Sequence, residues 1–156
     1  SVSGAHFNPV VTLAHVLLRK IPITTALQYF LSQICGAAFG VIIANAMYSS
    51  TIIGNSSINR TGSGLFLAEI VATSGLVYLA LTSTEKSVWK LIPLWIFAAY
   101  FFTSSTSFAN PAVTLSRVLT DSPAGISNSS VPAFLLAQIV GALLALGFIK
   151  VEKKID

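Results

Sequence analysis

Hydrophobic residues in this chain form long, nearly unbroken blocks, and polar residues gather in the segments between them. Four blocks, 24–48, 65–83, 87–102 and 133–149, approach the roughly 20 apolar residues that carry a helix across a bilayer. Two further stretches, 8–20 and 110–121, have helical spacing but are too short to span. Each short stretch opens on Asn-Pro. Asn is a favoured N-cap, and Pro suits the first helical position, where the missing amide would be unpaired anyway, so both pairs predict abrupt helix starts. The run Ser49–Gly64 and the stretch from Ser122 to Pro132, rich in Ser, Asn and Gly, read as aqueous loops.

The short stretches are copies of each other. Phe7-Asn8-Pro9-Val10-Val11-Thr12-Leu13 matches Ala109-Asn110-Pro111-Ala112-Val113-Thr114-Leu115, and Gln33-Ile34-Cys35-Gly36-Ala37 matches Gln138-Ile139-Val140-Gly141-Ala142 at nearly the same shift. Three predicted spans separate the short helices. An odd number of crossings makes the halves start from opposite faces, which is an inverted repeat. The second copy is preceded by two spans and the first by almost nothing, so the chain reads as a fragment, residues 1–156 forming one domain without the first two of six spans.

Composition agrees with a membrane protein: 54% of residues are hydrophobic and 9% charged, with a mean hydropathy of +0.80, where soluble domains carry about 25% charged residues. The net charge of +4 comes from basic residues beside the apolar blocks, with no basic patch interleaved with aromatics, so no nucleic-acid partner is expected. With the tail inside, only Arg60 and Arg117 fall outside, which satisfies the positive-inside rule and predicts a cytoplasmic C-terminus. Cys35, in an apolar block, reads as a small buried hydrophobe. No metal cluster, cofactor motif or hydrolase signature is present, and no enzyme activity is expected.

Backbone that breaks helical pairing at membrane depth is tolerated only where protein buries it or where it lines a watery cavity. Two short helices from opposite faces would meet near the midplane, each presenting the positive end of its dipole. Each Asn side-chain oxygen can cap its own helix and leave the NH2 group for passing molecules. Such a site holds neutral oxygen-bearing solutes and repels cations, which is the chemistry of a channel for uncharged polar molecules.

The segments Ser3-Gly4-Ala5-His6-Phe7-Asn8-Pro9-Val10-Val11-Thr12 and Ser107-Phe108-Ala109-Asn110-Pro111-Ala112-Val113-Thr114 resemble the paired NPA boxes of the aquaporin, or major intrinsic protein, family. The resemblance implies an all-α inverted repeat with two re-entrant half-helices. It makes Asn8-Pro9-Val10 and Asn110-Pro111-Ala112 the pore centre, with backbone carbonyls of Gly4, Ala5, His6, Thr106, Ser107 and Phe108 lining the pore. It also implies a homotetramer in the lipid bilayer of a bacterial plasma membrane, with water and small neutral solutes as partners. Glu69 would accept hydrogen bonds from a re-entrant loop.

Departures from the family bear on selectivity. Water-selective members carry an arginine directly after the second box and a histidine on the fifth span, where this chain has Val113 and Ala98. With Ser107 in the preceding loop, the visible filter positions are small or apolar, which predicts a wider constriction. A bacterial branch associated with arsenic resistance is similar in having that valine. The expectation is a passive channel for bulkier neutral solutes, such as glycerol-like polyols or undissociated arsenite, with some water. The alternative is a non-conducting membrane structural protein or a truncated, non-functional homologue. Arg117, one turn beyond Val113, is expected to pack or anchor loops, and His6 to tie down the loop before Asn8. Gly36, Gly40, Gly141 and Gly147 are expected to permit close helix contacts.

Overall fold

The computed structural model describes residues 3–155, with the side chains of Lys153 and Ile155 excepted. Residues 1, 2 and 156, the ends of the expected domain, lie outside the described residues. Regular structure among the described residues is helical throughout: α1 (Pro9–Leu17), α2 (Ile23–Met47), α3 (Ser63–Thr82), α4 (Val88–Phe102), α5 (Pro111–Ser116) and α6 (Val131–Ile155), with a 3-10 turn at Arg117–Leu119 continuing α5. Asn8 and Asn110 cap α1 and α5, and a proline follows each as the first helical residue.

Three helices, α2, α3 and α6, are long and apolar enough to cross a membrane. The block at 87–102 forms the 15-residue apolar α4, about 22 Å long at 1.5 Å per residue. Both short helices end earlier than the apolar pattern suggests. Past Leu18 the chain turns left-handed at Arg19 (φ 57°). Past Ser116, α5 tightens to the 3-10 turn, and the carbonyls of Val118 and Leu119 are taken by the amides of Ser56 and Gly54 at 2.9 and 3.0 Å. α6 overruns its apolar block as far as Ile155, because Lys150, Glu152 and Lys154 are good helix formers.

The most extensive helix contact joins α3 to α6, and small residues bring the two axes together. A Cβ at Gly141 would stand 2.7 Å from the Ile70 carbonyl oxygen, and Ser74 Oγ donates to the Gly141 carbonyl at 3.0 Å. A Cβ at Gly75 would fall inside the Trp95 ring of α4, whose indole N–H reaches the Ala72 carbonyl at 2.9 Å. Gly36, Gly40 and Gly147 meet nothing within 4 Å, so of the four glycines expected at helix contacts only Gly141 occupies one. Cys35 is also a correction: it is exposed, on a helix whose only buried residues are Ala26 and Asn45. An apolar block in a membrane helix is satisfied by hydrocarbon and does not imply a protein core.

α1 and α5 touch each other, and each also packs on α2 and α6. The two short helices therefore share the same long helices as walls, and their N-termini are brought face to face.

Candidate functional site

The loops leading into α1 and α5 take the same unusual backbone course. Gly4 (φ 70°), Ala5 (51°) and Phe7 (49°) are left-handed in the first, and Thr106 (60°), Ser107 (49°) and Ala109 (45°) in the second. These are the fourth, third and first residues before each Asn. Left-handed residues other than Gly are uncommon and need surrounding contacts to hold them.

At the meeting point the two Asn side chains bind reciprocally. Asn8 Oδ1 accepts from Val10 N at 3.0 Å, while its Nδ2 donates to the Ala109 carbonyl at 2.8 Å. Asn110 Oδ1 accepts from Ala112 N at 3.0 Å and Val113 N at 3.4 Å, while its Nδ2 donates to the Phe7 carbonyl at 3.0 Å. The expectation that each NH2 stands free is thereby corrected. One of its two hydrogens ties the opposite loop, and one remains.

Each Asn rests on a Thr and a Gln that repeat with it. Thr12 Oγ1 donates to the Asn8 carbonyl at 3.2 Å and accepts from Gln33 Nε2 at 3.0 Å. In the other half, Thr114 Oγ1 donates to the Asn110 carbonyl at 3.0 Å and accepts from Gln138 Nε2 at 2.8 Å.

Glu69 sits where a loop support is expected. It is fully buried on α3 and accepts from Ser105 Oγ (2.6 Å), Phe108 N (2.9 Å), Ala109 N (2.9 Å) and Gln138 Nε2 (2.7 Å). Three of these four donors belong to the loop before Asn110. The outer surface of that region is tied down as well. Arg60 reaches the carbonyls of Gly125 and Pro123, both at 2.7 Å, and Ser57 donates to Asp121 Oδ1 from its amide and hydroxyl at 2.9 Å each. Those two bonds hold the Asp121 carboxyl below the usual carboxylate range. Gly125 has no room for a side chain, since a Cβ would lie 2.2 Å from the Thr120 carbonyl oxygen. Three Asn-x-Ser/Thr triplets, beginning at Asn55, Asn59 and Asn128, fall in this surface: Asn55 Oδ1 accepts from Asn128 at 3.1 Å, and Asn59 Oδ1 from Ser130 Oγ at 3.1 Å.

A cavity of about 490 Å³ runs past both Asn side chains. Of the residues expected to line such a passage, Gly4, Ala5, His6, Ser107, Phe108 and Val113 do so, and Arg117 joins them. Thr106 does not, and Val10 and Ala112 are buried. Pro9 and Pro111 stand at the helix starts without lining the cavity. Ala98 also departs from expectation: it is exposed and absent from the lining, and Val88, Ile92 and Ile96 present α4 to the cavity instead. Those three recur every four residues, and a residue two places beyond Ile96 lies about 200° around the helix from it.

The sequence argues against a His6–His15 pair, since His15 lies nine residues on and past a helix start, and the structure corrects this. The His15 ring stacks on His6 with centroids 4.1 Å apart, Tyr29 meets His6 edge-on at 5.4 Å, and both imidazoles line the cavity. His6 Nδ1 also contacts Thr12 Oγ1 at 3.1 Å. The turn at Phe7–Asn8 folds the loop back over the first turns of α1, a proximity with no fixed sequence spacing.

Residues 1–109 match the family model described as Major intrinsic protein. The chain belongs to the major intrinsic protein family. Over 96% of its length it is 39% identical to Aquaglyceroporin AqpS of Rhizobium meliloti (strain 1021), of which it covers 65%. It is 32% identical over 92% of its length to Aquaporin PIP1-6 of Zea mays, covering 55% of that protein. Against Glycerol uptake facilitator protein-like 6 of Lactiplantibacillus plantarum the identity is 30%, over 92% of the chain and 72% of the relative. The chain thus spans somewhat less than two thirds of AqpS and about half of PIP1-6. Major intrinsic proteins are integral membrane channels for water and small solutes, not enzymes, and the all-helical architecture with paired half-helices is theirs.

Proposed function

We propose that the protein is a passive channel that favours bulkier neutral solutes, glycerol-like polyols or undissociated arsenite, over strict water selectivity. The observation that carries this reading is the Asn8–Asn110 pair, where two opposed helix N-termini each keep one amide hydrogen without a protein partner beside a cavity that both residues line. Oxygen-bearing solutes bind such donors, and the converging helix dipoles disfavour cations. The substrate preference rests on Val113 and Ser107, which offer a branched apolar group and a small hydroxyl beside the cavity. The names of the bacterial relatives, an aquaglyceroporin and a glycerol facilitator-like protein, support the same preference. Residues 1–156 form one channel domain in this reading, within a homotetramer in the bacterial plasma membrane, its C-terminus cytoplasmic.

Stopped-flow light scattering on proteoliposomes that hold the full-length protein tests it. Polyol and arsenite permeation above that of empty vesicles is expected. Water permeation with both excluded would overturn the substrate preference, and no flux of any solute would favour the non-conducting alternative.

A further inference from the structure

Arg117 is the one arginine or lysine among the described residues that line the cavity. It follows Asn110 by two helical turns, roughly 10 Å at 1.5 Å per residue. Because α1 and α5 meet at their N-termini, Arg117 and His15 mark opposite ends of the passage. Two guanidinium groups approach the same Phe108 ring: Arg60 with its central carbon 4.9 Å from the centroid, and Arg117 at 4.2 Å. Their circumstances differ. Arg60 directs its donors at the Gly125 and Pro123 carbonyls, which makes it a clamp on the external loops. Among the described residues, none accepts a hydrogen bond from the Arg117 side chain. It is half-buried, braced on an aromatic face, with its N–H groups left to the cavity.

A loop anchor would spend those donors on carbonyls, as Arg60 does. We propose that Arg117 is a selectivity-determining residue at the α5 end of the cavity: its charge repels cations, and its N–H groups dock hydroxyl or oxo oxygens of neutral solutes above Val113 and Phe108. The inference rests on reading the cavity as a solute path.

The test measures the local field and does not depend on transport. In the full-length protein, Cys35→Ser removes the exposed thiol and Val113→Cys places a reporter beside Arg117. Reaction rates with anionic, cationic and neutral methanethiosulfonate reagents are then compared with and without Arg117→Gln. One charge at roughly 6 Å, in a medium of effective dielectric about 40, alters each charged reagent's rate about tenfold in opposite senses, so the anionic-to-cationic ratio should fall about 100-fold. An unchanged ratio overturns the proposal. The neutral reagent reports folding and access. If the Gln variant does not assemble, Arg117→Met, which keeps an aliphatic stem on Phe108, supplies the charge-free case with the same two outcomes. Failure of the channel reading would appear separately, as absent solute flux in the unmodified protein, with the rate ratio intact.

Discussion

The loop before Asn8 and the loop before Asn110 share three left-handed residues at matching positions, a capping Asn, and a Thr–Gln prop. Beneath that likeness the supports differ. The second loop hangs on a buried carboxylate that takes two of its backbone amides and a serine hydroxyl. The first is held without a carboxylate, by the His6–His15 stack, His6 on Thr12, and Tyr29 donating to the Ser3 carbonyl at 2.7 Å. Twofold geometry at the centre therefore does not require twofold chemistry around it. The loop that carries Ser107 and leads to Val113 is the more strongly anchored one, which suits the side of the cavity where solutes are to be discriminated.

Replacing Glu69 is the most severe way to break this comparison. Glu69→Leu strands the Phe108 and Ala109 amides and the Ser105 hydroxyl, and each unsatisfied buried group costs about 1–3 kcal/mol. A loss of roughly 4 kcal/mol is expected, read as a lowered unfolding temperature in detergent and as lost flux. A variant that keeps wild-type stability would show that the carboxylate is not what holds the second loop.

Asn8→Ala and Asn110→Ala test the symmetric part. Each removes a helix cap, worth about 0.5–2 kcal/mol, and a cross-loop bond worth about 1 kcal/mol. Equal losses are expected from the two variants, near 2 kcal/mol by thermal unfolding, with comparable falls in solute flux. A strongly unequal pair would mean that the weaker support of the first loop reaches the centre.

Val113→Arg probes what the second loop is anchored for. A guanidinium at the head of the Arg117-bearing face should narrow the cavity and lower polyol flux by about tenfold, equivalent to roughly 1.4 kcal/mol on the barrier, with water flux less affected. Undiminished polyol flux in proteoliposome swelling would remove Val113 from the constriction.

The two helix starts were legible because capping is local: Asn-Pro writes its own conformation, and the Gln match extends the repeat. A carboxylate within an apolar block marks Glu69 as a residue with a task, but its role as a loop support was legible only through the family resemblance. What the sequence does not carry is facing. Ala98 and Ile96 both lie in one apolar block, and only the rotation of α4 against α3, set by Trp95 lodging at Gly75, decides which lines the cavity. Sequence distance alone argues against the His6–His15 pair, which a loop folding back creates, and the reciprocal Asn bonds are hidden because they join the two halves of the repeat.

The finest test compares the two glutamines, Gln33 and Gln138, which look equivalent in sequence. Gln33 Nε2 donates to Thr12 alone, and Thr12 Oγ1 keeps its bond to the Asn8 carbonyl and its contact with His6 without it. Gln138 Nε2 bridges Thr114 and the Glu69 carboxylate. In both, Oε1 is buried without a partner, so changing either to leucine also removes an orphaned acceptor, which offsets part of the loss. The balance differs because hydrogen bonds to charged groups contribute about 1.5–3 kcal/mol and neutral ones about 1 kcal/mol. Gln138→Leu should cost about 2 kcal/mol and Gln33→Leu less than about 1 kcal/mol, measured by thermal unfolding of the purified protein. If the two costs are equal, the carboxylate is not the source of the difference between the loops, and the asymmetry has to be sought in their aromatic contacts, a His6–His15 stack in the first and an edge-on Phe108–Phe134 pair in the second.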